Sequence, residues 1–191
     1  YSNTNLTPLS PHTIVISPIG DFTPELLDRI SAEIKRIYAF PTEVRPLLTD
    51  IEFAFHPNRK QYHSTPILEE LARNAPAGAV KVLALTQVDL FIPILTHVYG
   101  EAQLGGKACI VSTIRLNEGH QSQNTQEPYL GRIIKEAIHE LGHTFKLRHC
   151  REHTCLMHYC RNEGDVDRKS DQLCRYCKVL LEDDIKKLKA K

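Results

Sequence analysis

The stretch that most constrains this chain runs from Ile133 to Cys150, Ile-Ile-Lys-Glu-Ala-Ile-His-Glu-Leu-Gly-His-Thr-Phe-Lys-Leu-Arg-His-Cys. His139, Glu140 and His143 stand in it as H-E-x-x-H. Residues four apart on an α-helix share a face, so both imidazoles can hold one metal ion from the same side. At 3.6 residues per turn, Glu140 lies about 100° round from His139 and can reach a water beside the metal without ligating it. His149 follows six residues after His143, past the expected helix end, and can close the site from below. Three imidazoles leave a fourth zinc position open, the pattern of a catalytic rather than a structural site. The helix is predicted from Ile133, Ile134, Ala137, Ile138, Leu141 and Phe145, an apolar stripe at helical spacing. A plain amphipathic helix would show the same stripe, but the third histidine and the cysteines beyond it weigh against that.

Five of the six cysteines fall in the last quarter of the chain, and only Cys109 lies outside it, in a predicted strand, as a core residue. Cys150 and Cys155 are separated by four residues, Cys174 and Cys177 by two. Two close thiol pairs can build a four-cysteine tetrahedral zinc site. Cys160 can replace Cys155 in it, and two disulfides or free thiols are the alternative. Residues 150–177 read as nearly core-free, so a bound metal would supply their folding energy. His149 and Cys150 are adjacent yet would serve different ions, the closed site fixing where His149 points.

Around these sites the chain reads as one domain of 191 residues. Strands are predicted at 13–16, 44–48, 51–55, 79–85, 98–104 and 108–112, with a tight Gly105-Gly106 connection between the last two. One helix follows Thr23 as N-cap, with Leu26, Leu27, Ile30, Ile34, Ile37 and Tyr38 on its apolar face. A second begins at Ser64-Thr65-Pro66, the metal helix runs from about Tyr129 to Phe145, and Glu182–Lys189 closes as a short helix. The polar run 117–128 reads as a surface loop. The order implies a mixed α/β domain with the sheet before the metal helix and a small irregular lower part. A net charge of +1 gives no reason to expect nucleic acid or an anionic membrane as partner. No apolar run is long enough to span a bilayer. Residues 1–8 lack the basic and apolar regions of a signal peptide, which leaves room for a removed upstream segment. Clustered thiols without a secretion signal point to a reducing, cytoplasmic setting.

The sequence resembles an archaemetzincin, a zinc metallopeptidase of the metzincin clan. The resemblance rests on His139-Glu140-Leu-Gly-His143…His149-Cys150, on Cys155-Leu-Met157, on Cys174-Arg-Tyr-Cys177, and on the segment from Gly100 to Ser112. It implies an α+β, zincin-like fold: a twisted mixed sheet with covering helices, an active-site helix, and a lower subdomain ending in a helix. Residues 1–191 would be one catalytic domain, the upper subdomain about 1–149 and the zinc-stapled lower one about 150–191. By the same resemblance, His139, His143 and His149 bind a catalytic zinc and Glu140 is the general base. Cys150, Cys155, Cys174 and Cys177 bind a structural zinc. Met157 sits in a Met-turn beneath the ligands, and residues 98–104 form the edge strand that receives an extended peptide. The expected partner is a peptide or protein substrate, acted on by a monomer.

The chain departs from the metzincin pattern at Lys146, where the pattern has glycine. If the turn is left-handed there, lysine costs about 1 kcal/mol more than glycine. His153 is the alternative third ligand. Tyr159, two residues after Met157, resembles the Met-x-Tyr arrangement of some other metzincins; a packed or surface tyrosine is the alternative. His12, His56, His63, His97, His120 and His158 read as ordinary polar residues. Two rival functions are a non-catalytic zinc-stapled module that binds peptides or a partner, and a zinc-dependent RNA hydrolase. Glu140 and the near-neutral charge argue against the second.

Overall fold

The computed structural model describes residues 8–117 and 126–191. A five-stranded sheet, in the order β2-β1-β5-β8-β7, forms the upper part. It comprises β1 (Thr13–Pro18), β2 (Thr42–Val44), β5 (Ala79–Thr86), β7 (Gly100–Ala102) and β8 (Ala108–Ser112). Its pairings are parallel except at the β7 edge, which runs antiparallel to β8. Beside it lies a small sheet, β3-β4-β6, of β3 (Phe55–His56), β4 (Gln61–His63) and β6 (Leu90–Phe91).

Strand alternation divides the core between the two faces of the main sheet. Ile14, Ile16, Leu83, Leu85, Cys109 and Val111 face α1 (Pro24–Tyr38) and α3 (Gln126–Thr144). Val15, Val82, Ala84, Ala108 and Ile110 face α2 (Ser64–Arg73), through Ile67, Leu68 and Leu71. Each valine, leucine or isoleucine among them contributes about 1.5–3 kcal/mol of burial. The Thr23 hydroxyl caps α1 by accepting the Leu26 N–H at 3.3 Å, and Ala39 ends it in a left-handed conformation. The Glu101 carboxylate, on β7, accepts the hydroxyls of Ser64 (2.5 Å) and Thr65 (2.9 Å) at the start of α2. Buried Lys81, on the central strand β5, donates to Gly106 O and Thr144 O, both at 2.8 Å. That one ammonium ties the β7–β8 turn to the end of α3.

Several predicted elements are corrected. The segment 44–48 carries no strand beyond Val44, because Pro46 has no N–H to offer a ladder. At 51–55, the Asp50 carboxylate accepts the Glu52 N–H at 3.1 Å, and Glu52–Ala54 coils into a 3-10 turn. The edge strand is three residues long, Gly100–Ala102, rather than seven. The metal helix starts at Gln126, so the end of the predicted loop is helical; residues 118–125 of that loop lie outside the described residues.

The lower part differs most. A short helix, α4 (Glu163–Arg168), is capped by Asn162, and the closing helix α5 (Arg175–Lys189) starts seven residues earlier than predicted. Its early turns present Tyr176, Val179 and Leu180 to solvent, 69, 57 and 41% exposed, which blurs the apolar period. Nor is the segment core-free. Cys155, Leu156, Met157, Val166, Leu173 and Leu181 are buried in the same cluster as α1 and α3. The Arg132 guanidinium, buried on α3, also grips Asp167 at 2.6 and 2.8 Å. Among the described residues no helix is long and apolar enough to cross a membrane.

Candidate active site

Helix α3 passes beneath the β7 edge and carries His139, Glu140 and His143 on the face toward the cleft. It ends in a Schellman motif: Leu147 N–H donates to Gly142 O at 3.1 Å, and Lys146 N–H to His143 O at 3.0 Å. Lys146 is the left-handed residue of that motif, at φ 71°. The turn the glycine pattern demands is therefore made with lysine, and it swings the chain back so that His149 faces the other two imidazoles. Replacing Lys146 by glycine relieves about 1–2 kcal/mol of left-handed strain. It costs part of that in unfolded-state entropy and in the pair with buried Asp184 at 3.5 Å, of which only the lysine end is exposed. Lys146→Gly is expected to gain about 0.5 kcal/mol in urea denaturation; a loss above about 1 kcal/mol would contradict this account.

Each helical imidazole is oriented by a backbone carbonyl. His139 Nδ1 donates to Leu156 O at 2.9 Å, and His143 Nδ1 to Leu147 O at 2.6 Å. Both Nε2 atoms are then bare acceptors, and they lie only 3.2 Å apart. Two lone pairs at that distance need a cation between them. Tetrahedral zinc with N at 2.0–2.1 Å places its nitrogens about 3.3 Å apart. The His149 ring completes the group, centroids 5.4 Å from His139 and 4.8 Å from His143, and ligand atoms of all three lie within 4.8 Å of one another. Burial, the largest cause, holds His139 well below the usual imidazole range, lowers His143 to about 4 and lowers His149. Neutral imidazole is the form that binds metal. His153 stands apart, exposed and packed on His158 at 4.6 Å.

Glu140 is buried, and burial first, then the neighbouring Glu136, pushes its carboxyl well above the usual range. It lines a cleft of about 380 Å³ together with the three histidines, Glu136, Tyr159 and the β7 edge. Tyr159 is 46% exposed and lines the cleft, its ring 5.1 Å from that of His149.

Beneath the helix, Met157 is fully buried, and a Cβ on Gly142 would come 2.6 Å from its Sδ. Glycine is what lets the thioether rise against the turn between the two helical ligands. Gly142→Ala gains about 1 kcal/mol of helix propensity but overpacks at a cost of about 1–3 kcal/mol. The expected net loss is about 1 kcal/mol in a denaturant midpoint; a gain would place Met157 elsewhere.

Four sulfurs gather below. Cys150 Sγ and Cys174 Sγ are 3.7 Å apart, Cys155 Sγ and Cys177 Sγ 3.8 Å. A disulfide would need about 2.05 Å, whereas zinc with Zn–S of 2.3 Å sets its sulfurs about 3.8 Å apart. The Cys155 sulfur also accepts the N–H groups of Met157 (3.5 Å) and Cys174 (3.3 Å), bonds that suit a thiolate. Cys160 stays outside the group, bonded to His158 O at 3.6 Å and lining the catalytic cleft. Both donor sets thus fit zinc, one open and one closed. Among the described residues these are the two groups able to hold a metal.

The model of peptidase family M54 matches residues 59–183. The chain belongs to that family, the archaemetzincins. The archaemetzincin of Methanocaldococcus jannaschii is 33% identical over 171 residues, 89% of this chain and 93% of its own. That of Methanopyrus kandleri is 39% identical over 136 residues, 71% and 74% of the two chains. Its crystal structure superposes with a TM-score of 0.80 at 32% identity, covering 95% of this chain and 99% of the other. The archaemetzincin of Archaeoglobus fulgidus, solved with malonate, gives 0.74 at 30% identity over 88% and 99%. This archaemetzincin is therefore a zinc metallopeptidase, and the mixed sheet, covering helices and active-site helix expected of the family are present.

Two site residues escaped the sequence. Glu136 was legible in principle, one helical turn before Glu140. Lys169, buried against His139, carries no local signal because it stands thirty positions further along the chain, beyond a largely irregular segment.

Proposed function

We propose that His139, His143 and His149 hold the catalytic zinc, that Glu140 is the general base of peptide hydrolysis, and that Cys150, Cys155, Cys174 and Cys177 hold a structural zinc. The observation that carries this is the pair of bare Nε2 atoms 3.2 Å apart beside a buried carboxylate. Zinc held by His139, His143 and His149 would supply Lewis acidity toward the scissile carbonyl and a water. The peptide lies extended along the free edge of β7, which offers main-chain hydrogen bonds. The Glu140 carboxylate takes the proton of the attacking water and passes it to the leaving amine. His139 and His143 keep their orientation through Leu156 O and Leu147 O. Residues 1–191 act as one domain, upper subdomain about 1–149 and lower about 150–191, joined by the shared core. The protein works as a monomer in the cytoplasm, where reducing conditions keep four thiols available as ligands, and nucleic acid is not a substrate.

The test is a mass-spectrometric digest of a diverse peptide library by metal-free protein before and after zinc is restored. Zinc-dependent cleavage is the expected result. Uptake of about two zinc ions per chain with no cleavage of any peptide would sink the catalytic reading.

A further inference from the structure

We propose that Glu136 and Lys169 form a positioning pair for the catalytic metal, in which the Glu136 carboxylate cancels a buried ammonium that otherwise repels a cation held by His139. The inference rests on the histidine site proposed above. Lys169 enters from the chain that follows α4, and its side chain is 0% exposed. Its Nζ lies 2.9 Å from Glu136 Oε1, 3.4 Å from His139 Nδ1 and 3.4 Å from His158 O. His139 Nδ1 already gives its hydrogen to Leu156 O. The ammonium therefore meets that imidazole donor against donor, as a neighbouring positive charge and not as a hydrogen-bond partner.

A fixed positive charge beside a metal ligand weakens cation binding, and in a dry interior it is poorly attenuated. Glu136 is placed to remove the conflict. It sits on α3 three residues before His139, is 4% exposed and lines the cleft. Its Oε1 is enclosed without any well-formed hydrogen bond. What that oxygen has instead is the ammonium, so the contact is one of charge. Lys169 has no open space to swing into, because its side chain is 0% exposed, and its backbone is anchored as well: its N–H donates to Asp165 O at 3.3 Å, and its carbonyl accepts Lys135 Nζ at 2.7 Å. A buried pair is seldom needed for stability alone, since apolar replacements are often neutral. Its placement against a metal ligand gives it a different consequence, which is the affinity of the open site.

Zinc affinity at the histidine site is measured by chelator competition in wild type, Glu136→Gln, Lys169→Met and the double variant, with the four-cysteine zinc as internal control for folding. Glu136→Gln leaves the ammonium uncancelled and is expected to weaken zinc by about 10–100-fold. Lys169→Met is expected to bind zinc more tightly than wild type, a change that a purely structural role would not produce. The double variant is expected to return to within about threefold of wild type. Unchanged affinity in Glu136→Gln, or weaker zinc in Lys169→Met, would overturn the proposal. If Glu136→Gln does not fold, Lys169→Met and the double variant decide alone. A wild type that takes up zinc only at the cysteines would overturn the histidine site itself.

Discussion

Glu140→Gln is expected to lower kcat on a cleaved peptide by about 10²–10⁴-fold, with KM little changed and zinc content unaltered. The substitution keeps the shape of a side chain packed tightly under the sheet edge: a Cβ on Gly100 would stand 3.0 Å from Glu140 Cγ. It removes the negative charge and with it the ability to accept a proton. Burial and the nearby Glu136 charge push the Glu140 carboxyl upward, which makes it a stronger base than an exposed glutamate. Glutamine cannot replace it at any pH. Steady-state kinetics with metal analysis of the same sample checks the prediction. Loss of one zinc per chain in the variant would make Glu140 a ligand, and an unchanged kcat would place the base elsewhere.

The second large effect lies in the lower part. Cys177→Ser is expected to cost one zinc per chain, to raise the rate of proteolytic nicking within 150–175 at least tenfold, and to abolish cleavage of peptides. Zinc in a closed thiolate site contributes about 10–16 kcal/mol to folding in small modules. Here Leu156, Met157, Val166, Leu173 and Leu181 also anchor the segment to the main core, so the sheet and α1–α3 should survive the loss. Activity should not, because His149 is bonded directly to Cys150, and Cys150 N–H in turn holds Met157 O at 2.9 Å. Limited proteolysis, zinc content and activity on one sample read all three. A variant that loses its zinc yet cleaves normally would detach the two sites.

The parts legible in the sequence were those written in local spacing. The histidines of α3 recur at one helical turn, the thiols come in close pairs, and the buried strands are predominantly apolar runs, with Lys81 the charged exception in β5. Lys146 was legible as a backbone problem, and its left-handed φ shows that a fold can impose that geometry on lysine. What stayed hidden depends on distant chain. The apolar residues after Cys150 are spaced irregularly, so nothing in their order says that they join the sheet core. Helix α5 buries Cys177, Leu181 and Asp184 while exposing the apolar residues between them, which inverts the usual signal. Glu136 and Lys169 meet only because α3 and the chain after α4 are packed together.

The Lys81 ammonium, bonded to Gly106 O and Thr144 O, has a thermodynamic consequence. The turn after the strand proposed to receive a peptide and the end of the helix that carries His139 and His143 lean on the same charged group in the central strand, which ties the two walls of the groove together. Such a groove is preorganised and surrenders little freedom when it fills. The ordering entropy of association then falls mainly on the peptide. Ligands already stiffened in an extended shape should bind more tightly than flexible ones of the same composition, and the gain should appear in the entropy of binding.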